Sequence, residues 1–251
     1  MIVKPIRTNL VKEGDNIFDF ISKNIKILPE ESVLVITSKI LSICQGRVVE
    51  KKTGEKKEKH FLVKKEADFY IDPSSSKYDI MLTVKDNILA VNAGIDESNA
   101  NEKFILWPKD IQKVANNIWK FLREKYKLKK VGVIITDSKT FPLKWGIVGT
   151  AICHSGFKAL YDYRGKEDLF GRKLKMSQIN IAEALAVSAV LEMGEASEKT
   201  PLCIIRDITK VEFQDRVPTK KELRDLLIDL EDDVYAPVLT QANWKKGKGG
   251  I

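Results

Sequence analysis

The chain has 251 residues and a formal net charge of +8, from 43 Lys and Arg against 35 Asp and Glu. That length buries a substantial core, in one large domain or two small ones, and no apolar stretch reaches the roughly 18 residues that a membrane-spanning helix needs. Its three cysteines, Cys44, Cys153 and Cys203, are far apart and form no CxxC pair, which argues against both a disulfide framework and a thiolate zinc site.

In chain order, Met1-Ile2-Val3-Lys4-Pro5-Ile6 lacks a signal-peptide pattern, so a reducing cytoplasm is the expected setting. Asp15 to about Lys26 carries Ile17, Phe18, Phe20, Ile21 and Ile25, an amphipathic helix with Asp15 as its N-cap. Ser32-Val33-Leu34-Val35-Ile36-Thr37 reads as a buried strand that runs into a helical turn at Ser38-Lys39-Ile40-Leu41-Ser42. The lysine-rich stretch 51–59 reads as a solvated loop, and the basic tail 245–250 as a frayed end. Asp79 to Val91 reads as a hairpin turning at Lys85-Asp86-Asn87.

Asp110 is placed to cap a long helix through Ile111, Val114, Ala115, Ile118 and Leu122, and the strand Val131 to Thr136 follows. Glycines punctuate Trp145 to Gly171, the mark of loops and short strands. Ile179 to Met193 is helical with Gly194 as its stop, Pro201 to Arg206 is a strand, and Thr219-Lys220-Lys221-Glu222 is a capping box. The alternation predicts an α/β or mixed α+β fold. The whole chain, 1–251, is taken as one catalytic domain, with about 60–180 as a second lobe that no linker marks.

Two carboxylates close apolar runs: Asp96 after Ile88 to Ile95, and Asp137 after Val131 to Thr136. An acid where a buried strand leaves a sheet points into the crevice where α/β proteins bind ligands. With Asn99 and Ser138 they form an all-oxygen set of the kind Mg²⁺ or Mn²⁺ prefers; the competing reading is that each caps a turn. The common nucleotide motifs, GxxxxGK(S/T) and GxGxxG, are absent. His60 and His154 are the two histidines, too few for an HExxH zinc site, and no GxSxG accompanies His154, so both are read as structural. The basic excess attracts anions, but no aromatic-basic module points to nucleic acid.

A longer series of blocks carries a resemblance. It comprises Thr37-Ser38-Lys39-Ile40, Gly46-Arg47-Val48-Val49, Asn92-Ala93-Gly94-Ile95-Asp96-Glu97-Ser98-Asn99 and Gly132-Val133-Ile134-Ile135-Thr136-Asp137-Ser138. Trp145-Gly146-Ile147-Val148-Gly149, Asp162 to Arg172 and Met193-Gly194-Glu195 complete it. In this order, from about Ile6 to Ala236, the chain resembles the γ-glutamyl ligases that add glutamate to the deazaflavin coenzyme F420. The folate-metabolism γ-glutamate ligase branch looks nearest.

The resemblance implies a two-lobed ligase fold, neither P-loop nor ATP-grasp. It also implies a homodimer, GTP or ATP as cosubstrate, two Mg²⁺ or Mn²⁺ ions, and K⁺ as a helper. Carried over by position, Asp96, Asp137, Ser138 and Glu195 would hold metal. Thr8, Asn9, Leu10, Val11, Ser38, Lys39, Asn99, Met193 and Gly194 would hold nucleotide. Asp96, Asp137 and Lys39 would be the catalytic set, with Lys39 and Arg47 offsetting phosphate or carboxylate charge. The coenzyme F420 enzymes usually read Ser-Lys-Ala-Glu-Gly-Arg where this chain has Ser42-Ile43-Cys44-Gln45-Gly46-Arg47. Their arginine-rich turn is Lys139-Thr140-Phe141-Pro142-Leu143-Lys144-Trp145 here. Fewer cations favour a folate-like pterin acceptor over a deazaflavin, held partly by Phe141 or Trp145. The expected activity is thus a nucleotide- and metal-dependent ligase that activates an acceptor carboxylate as an acyl phosphate and joins L-glutamate to it. The alternatives are coenzyme F420-0:L-glutamate ligase and a non-catalytic nucleotide-binding regulator; neither nucleic acid nor membrane is an expected partner.

Overall fold

The computed structural model describes residues 1–250. The first half runs β1 (Ile2–Ile6), α1 (Ile17–Asn24), β2 (Ser32–Thr37), α2 (Ser38–Cys44), β3 (Val48–Glu50), α3 (Lys56–Glu66), β4 (Phe69–Tyr70), β5 (Leu82–Lys85), β6 (Ile88–Val91) and β7 (Lys103–Ile105). The second half runs α4 (Ile111–Tyr126), β8 (Val131–Thr140), β9 (Ile147–Ser155), β10 (Leu160–Asp162), β11 (Gln178–Asn180), α5 (Ile181–Met193), β12 (Leu202–Arg206), α6 (Lys220–Arg224), α7 (Ala236–Leu239) and β13 (Lys245–Lys246). The fold is mixed α/β, as the alternation of periodicities predicts. No helix among the described residues is long and apolar enough to cross a membrane.

The main sheet has five strands in the order β1-β12-β2-β8-β9. Within it β2 and β8 run parallel, with Thr37 opposite Thr136, and the other pairs are antiparallel. Helices cover both faces, so successive strand residues enter opposite cores. Leu34 and Ile36 join Val133, Ile135, Phe20 and Ile21 of α1, and Ile118 and Leu122 of α4. Val33 and Val35 turn the other way, onto Ile134, Cys203 and the α5 residues Leu185, Ala186 and Ala189. A smaller cluster under α3, comprising Val63, Ala67, Met81, Ala93, Ile95, Phe104 and Leu106, runs from α3 to just past β7. Strands β8 and β9 lie in the main sheet.

Local expectations hold with several corrections. Asn16, not Asp15, caps α1, accepting from Phe18 N and Asp19 N, while Asp15 accepts from Lys12 N. Asp110 stands at the N-cap position of α4 in a left-handed conformation, without a side-chain cap bond. Lys56–Lys59 are not loop: they open α3, steadied by Glu58, which accepts from Lys52 N and Thr53 N. The basic tail is not frayed. Lys245 and Lys246 pair with Tyr70 and Phe69, and Lys248 N, Gly250 N and Gly249 N donate to the carbonyls of Lys64, Lys65 and Ala67. These carbonyls lie at the end of α3 and lack partners within the helix. Asp86 and Asn87, at φ 50° and 60°, make the tight turn between β5 and β6. Asn180 caps α5, and the Thr219–Glu222 capping box forms as expected.

His154 is 2% exposed, its ring edge-on to Phe157 at 5.2 Å. Burial pushes its pKa down from 6.5 to about 4. Between these values the unfolded chain binds a proton that the folded chain refuses, so stability falls as pH drops through this window. The full loss is about 3 kcal/mol below pH 4. Urea unfolding at pH 7 and pH 4 should show this component in the wild type and not in His154→Gln, whose side chain does not titrate.

Candidate active site

The parallel pair β2/β8 builds one wall of the site. Because Thr37 and Thr136 are opposite one another, Ser38-Lys39 leave the sheet where β2 ends, alongside Asp137-Ser138, which continue β8 paired with β9. Ligands of α/β proteins bind at such an edge. Asp137 is not at the end of its strand, which continues to Thr140; a register shift lies between Ile135 and Thr136, and the strand becomes partly exposed only after Thr136.

The second wall comes from the β6–β7 segment. Asp96 is also not a strand terminus: β6 ends at Val91, and a short turn with Asn92, Ala93 and Gly94 all at positive φ intervenes. Asp96 then exchanges both backbone hydrogen bonds with Ile105, at 2.9 Å each. That pairing places Asp96 next to the run Ile105-Leu106-Trp107. Trp107 crosses to the main sheet, and its indole Nε1 donates to Asp137 Oδ2.

Polar contacts knit the predicted residues together. Lys39 Nζ lies 2.6 Å from Asp96 Oδ2 and 3.0 Å from both the carbonyl and the hydroxyl of Ser98. Asp96 Oδ1 accepts from Glu97 N, Ser98 N and Ser98 Oγ. Ser138 Oγ donates to Glu195 Oε1 at 2.5 Å, and Asn99 Nδ2 donates to Ala196 O at 2.8 Å. The segment after α5 thus meets both walls: Met193 is buried, Gly194 (φ 76°) turns the chain outward, and exposed Glu195 follows. Thr8 is buried and tied to the same segment through Thr8 N to Lys199 O at 2.8 Å. Asn9 and Leu10 are exposed beside it, and Val11 packs on the core.

The two aspartates titrate in opposite senses. Burial works against the Asp96 anion, but Lys39 and the Ser98 donors hold its carboxyl below the usual range. Burial raises Asp137 to about 6; the Ser138 N–H and Trp107 N–H oppose the rise, and the nearby Asp96 charge adds to it. Among the described residues, no three His, Cys, Asp or Glu side chains stand close enough together to hold a metal ion on their own. The donor chemistry is nonetheless of the kind a divalent cation takes. It is all oxygen, and the carboxylates of Asp96, Asp137 and Glu195 outweigh the one ammonium in contact with Asp96. A desolvated carboxylate such as Asp137 is favoured as an anion by an added cation.

Two residues differ from expectation. Arg47 does not point toward phosphate: its guanidinium turns inward, 2.6 Å from Glu66 Oε2, and donates to Trp107 O at 3.0 Å. Trp107, which no sequence motif singles out, holds Asp137; the signal available was an aromatic closing a short apolar run just before Pro108. On the outer rim, Phe141 is 48% and Trp145 94% exposed, with Lys139 Nζ 5.5 Å from the Phe141 ring centre.

The family model described as F420-0:Gamma-glutamyl ligase matches residues 5–207, a span that includes every residue placed in the site above. A coenzyme F420:L-glutamate ligase of Methanocaldococcus jannaschii is 34% identical over 222 residues, 83% of this chain and 86% of the relative. Coenzyme F420:L-glutamate ligases of Methanopyrus kandleri and Archaeoglobus fulgidus are each 32% identical, over 79% of this chain and 83% and 84% of their own lengths. On the extent of the model match and of these alignments, the chain belongs to the F420-0:gamma-glutamyl ligase family.

Proposed function

We propose that the protein is a nucleoside-triphosphate-dependent ligase that joins L-glutamate to the carboxylate of a coenzyme F420-type acceptor. The observation that carries the reading is that three separate segments meet: Lys39 pairs with Asp96 at 2.6 Å, Asp137 lies near enough to feel both charges, and Ser138 beside it donates to Glu195. A carboxylate is a poor acylating agent and must first be activated. An acceptor carboxylate oxygen attacks the γ-phosphorus, the bond to the nucleoside diphosphate breaks, and an acyl phosphate forms. The glutamate amine then attacks the acyl carbon, phosphate leaves with the bonding electrons, and the amine loses a proton.

Asp96, Asp137, Ser138 and Glu195 are the residues that would hold Mg²⁺ or Mn²⁺, which when bound supplies charge neutralisation for phosphoryl transfer. Lys39 holds Asp96 and stands ready to share its charge with phosphate oxygens, and Ser38, Asn99 and the 193–195 segment border the same space. In this scheme no side chain forms a covalent intermediate. Either GTP or ATP is proposed as the cosubstrate, and K⁺ as a further cation only from the family resemblance.

The relatives' names favour a deazaflavin acceptor. The exposed Phe141–Trp145 turn favours a second reading, a folate-like pterin stacked on these rings. Stacking adds about 0.5–1.5 kcal/mol beyond area burial. We also propose a homodimer. The outer face of α5 leaves Leu191 78% exposed, and the connection between β10 and β11 leaves Leu169, Phe170 and Met176 at 98%, 94% and 88%. These apolar groups have no cover within one chain, and a second copy is the occupant proposed for them.

Ligand-induced stabilisation tests the nucleotide reading. GTP or ATP at a hundred times its Kd should stabilise the fold by about 2.7 kcal/mol, several degrees in Tm, when Mg²⁺ is present. Excess chelator should remove most of that shift. A shift indifferent to metal, or none with either nucleotide at millimolar concentration, contradicts the reading.

A further inference from the structure

Behind Asp137 runs a largely buried hydrogen-bonded chain that the activation chemistry does not use. Trp107 Nε1 donates to Asp137. The Trp107 carbonyl accepts from Arg47 Nε at 3.0 Å, and Arg47 Nη2 lies 2.6 Å from Glu66 Oε2. The Arg47 carbonyl accepts from Leu106 N at 3.0 Å, so Arg47 grips the strand leading to Trp107 at two points. Glu66 is 3% exposed, and buried Lys85 donates to its carbonyl at 2.9 Å and lies 3.6 Å from its carboxylate.

As cohesion alone this is a costly device. Buried ion pairs lose much of their Coulombic gain to desolvation, and well-packed apolar residues do the same work. What an apolar replacement cannot do is aim. A planar guanidinium can bond a carboxylate with one N–H and a carbonyl with another in fixed geometry, which a lysine ammonium on a flexible stem does not reproduce.

We propose that Glu66 and Arg47 are positioning residues for the ligase reaction. Glu66 orients the guanidinium, Arg47 fixes the Trp107 main chain, and the indole N–H sets the direction in which the Asp137 lone pairs face the crevice. The proposal rests on the reading of Asp137 as a cation ligand. Groups that orient metal-binding side chains typically change affinity 10- to 100-fold when removed.

The test is Mn²⁺ binding to the full chain without nucleotide, by electron paramagnetic resonance, with Tm measured on the same samples. Trp107→Phe and Arg47→Lys are each expected to weaken Mn²⁺ binding about tenfold or more. Because both act on one chain of contacts, the double variant should bind little worse than Trp107→Phe alone. Arg47→Lys affinity equal to wild type, or independent multiplication in the double variant, overturns the proposal, whatever the change in Tm. Should Arg47→Lys not fold, Glu66→Gln makes the same test: it keeps an acceptor for Arg47 and removes the charge. Its Mn²⁺ affinity should fall, and the loss should vanish on the Trp107→Phe background; wild-type affinity or an additive loss overturns the proposal. Asp137→Asn separates the two levels. Unchanged Mn²⁺ binding there refutes the reading of Asp137 itself, whereas loss there with no effect of Arg47→Lys refutes only the relay.

Discussion

Asp137→Asn should lower turnover by about a thousandfold, roughly 4 kcal/mol of transition-state stabilisation, and leave the metal-free protein no less stable at pH 7. The two halves have one cause. A carboxyl whose folded pKa is raised from 3.8 to about 6 prefers to be protonated in the fold. At pH 7 its ionised form therefore opposes folding, by up to about 3 kcal/mol, and that penalty shrinks as pH falls below about 6 and is gone below 3.8. Asn removes the charge while keeping the shape, and gives back part of the gain because its amide meets one of the two N–H donors that Asp137 accepts from, Ser138 N and Trp107 Nε1. Asp96→Asn should be as harmful to turnover but should cost stability, since Asp96 is paired with Lys39 at 2.6 Å. Steady-state ligation rates and urea midpoints for the two variants check both signs. Near wild-type turnover in either variant would reduce that residue to a turn cap.

Gly94→Ala should be the most disruptive single-atom change near the site. Gly94 has φ +70°, and a Cβ there would overlap the Trp107 indole at Nε1, Cε2 and Cδ1. Left-handed strain and overpacking together cost on the order of 3 kcal/mol. The indole has no room to yield, because Trp107 is 3% exposed and bonded to Asp137. Gly54 supplies the control: its φ is +68°, and a Cβ there would meet nothing within 4 Å. Gly54→Ala should show the backbone cost alone and keep full activity, while Gly94→Ala should lose about tenfold or more in kcat beyond any loss of folded protein. Equal effects at the two glycines would show that contact with Trp107 does not matter.

Much of the fold is legible because its signals are local. Val33 to Ile36 alternate between two apolar cores, so they read as a continuous buried run. Thr219 and Glu222 cap a helix by direct contact, which spacing alone reveals. The Asp110 position shows the limit: the helix start is legible, but the left-handed backbone turns the aspartate away from capping. The basic tail reads as frayed because its composition gives no sign that α3 ends with free carbonyls at the place it reaches.

The site divides in the same way. Asp137 is legible because β8 delivers it from a run of buried residues, and Lys39 because α2 begins where β2 stops. Asp96 is legible for an imperfect reason: it owes its place to a left-handed turn and to Ile105, not to the end of a strand. Trp107 and Glu66 are invisible in the sequence. Their contacts span 30 residues to Asp137 and 19 to Arg47, and neither stands in a pattern that spacing recognises. Arg47 is conspicuous but reads as pointing outward, because a basic residue after a glycine carries no information about which way its side chain turns.

The most direct measurement is a single ligation assay: protein, Mg²⁺, GTP or ATP, isotopically labelled L-glutamate and the deazaflavin acceptor, with a reduced folate in a parallel reaction, read by mass spectrometry. The expected product is an acceptor heavier by one or more labelled glutamate residues, matched by release of nucleoside diphosphate and phosphate, and absent from Asp137→Asn. Nucleotide-independent labelling, or no labelled product from either acceptor in protein whose Tm responds to nucleotide and metal, would contradict a nucleotide-driven glutamate ligase.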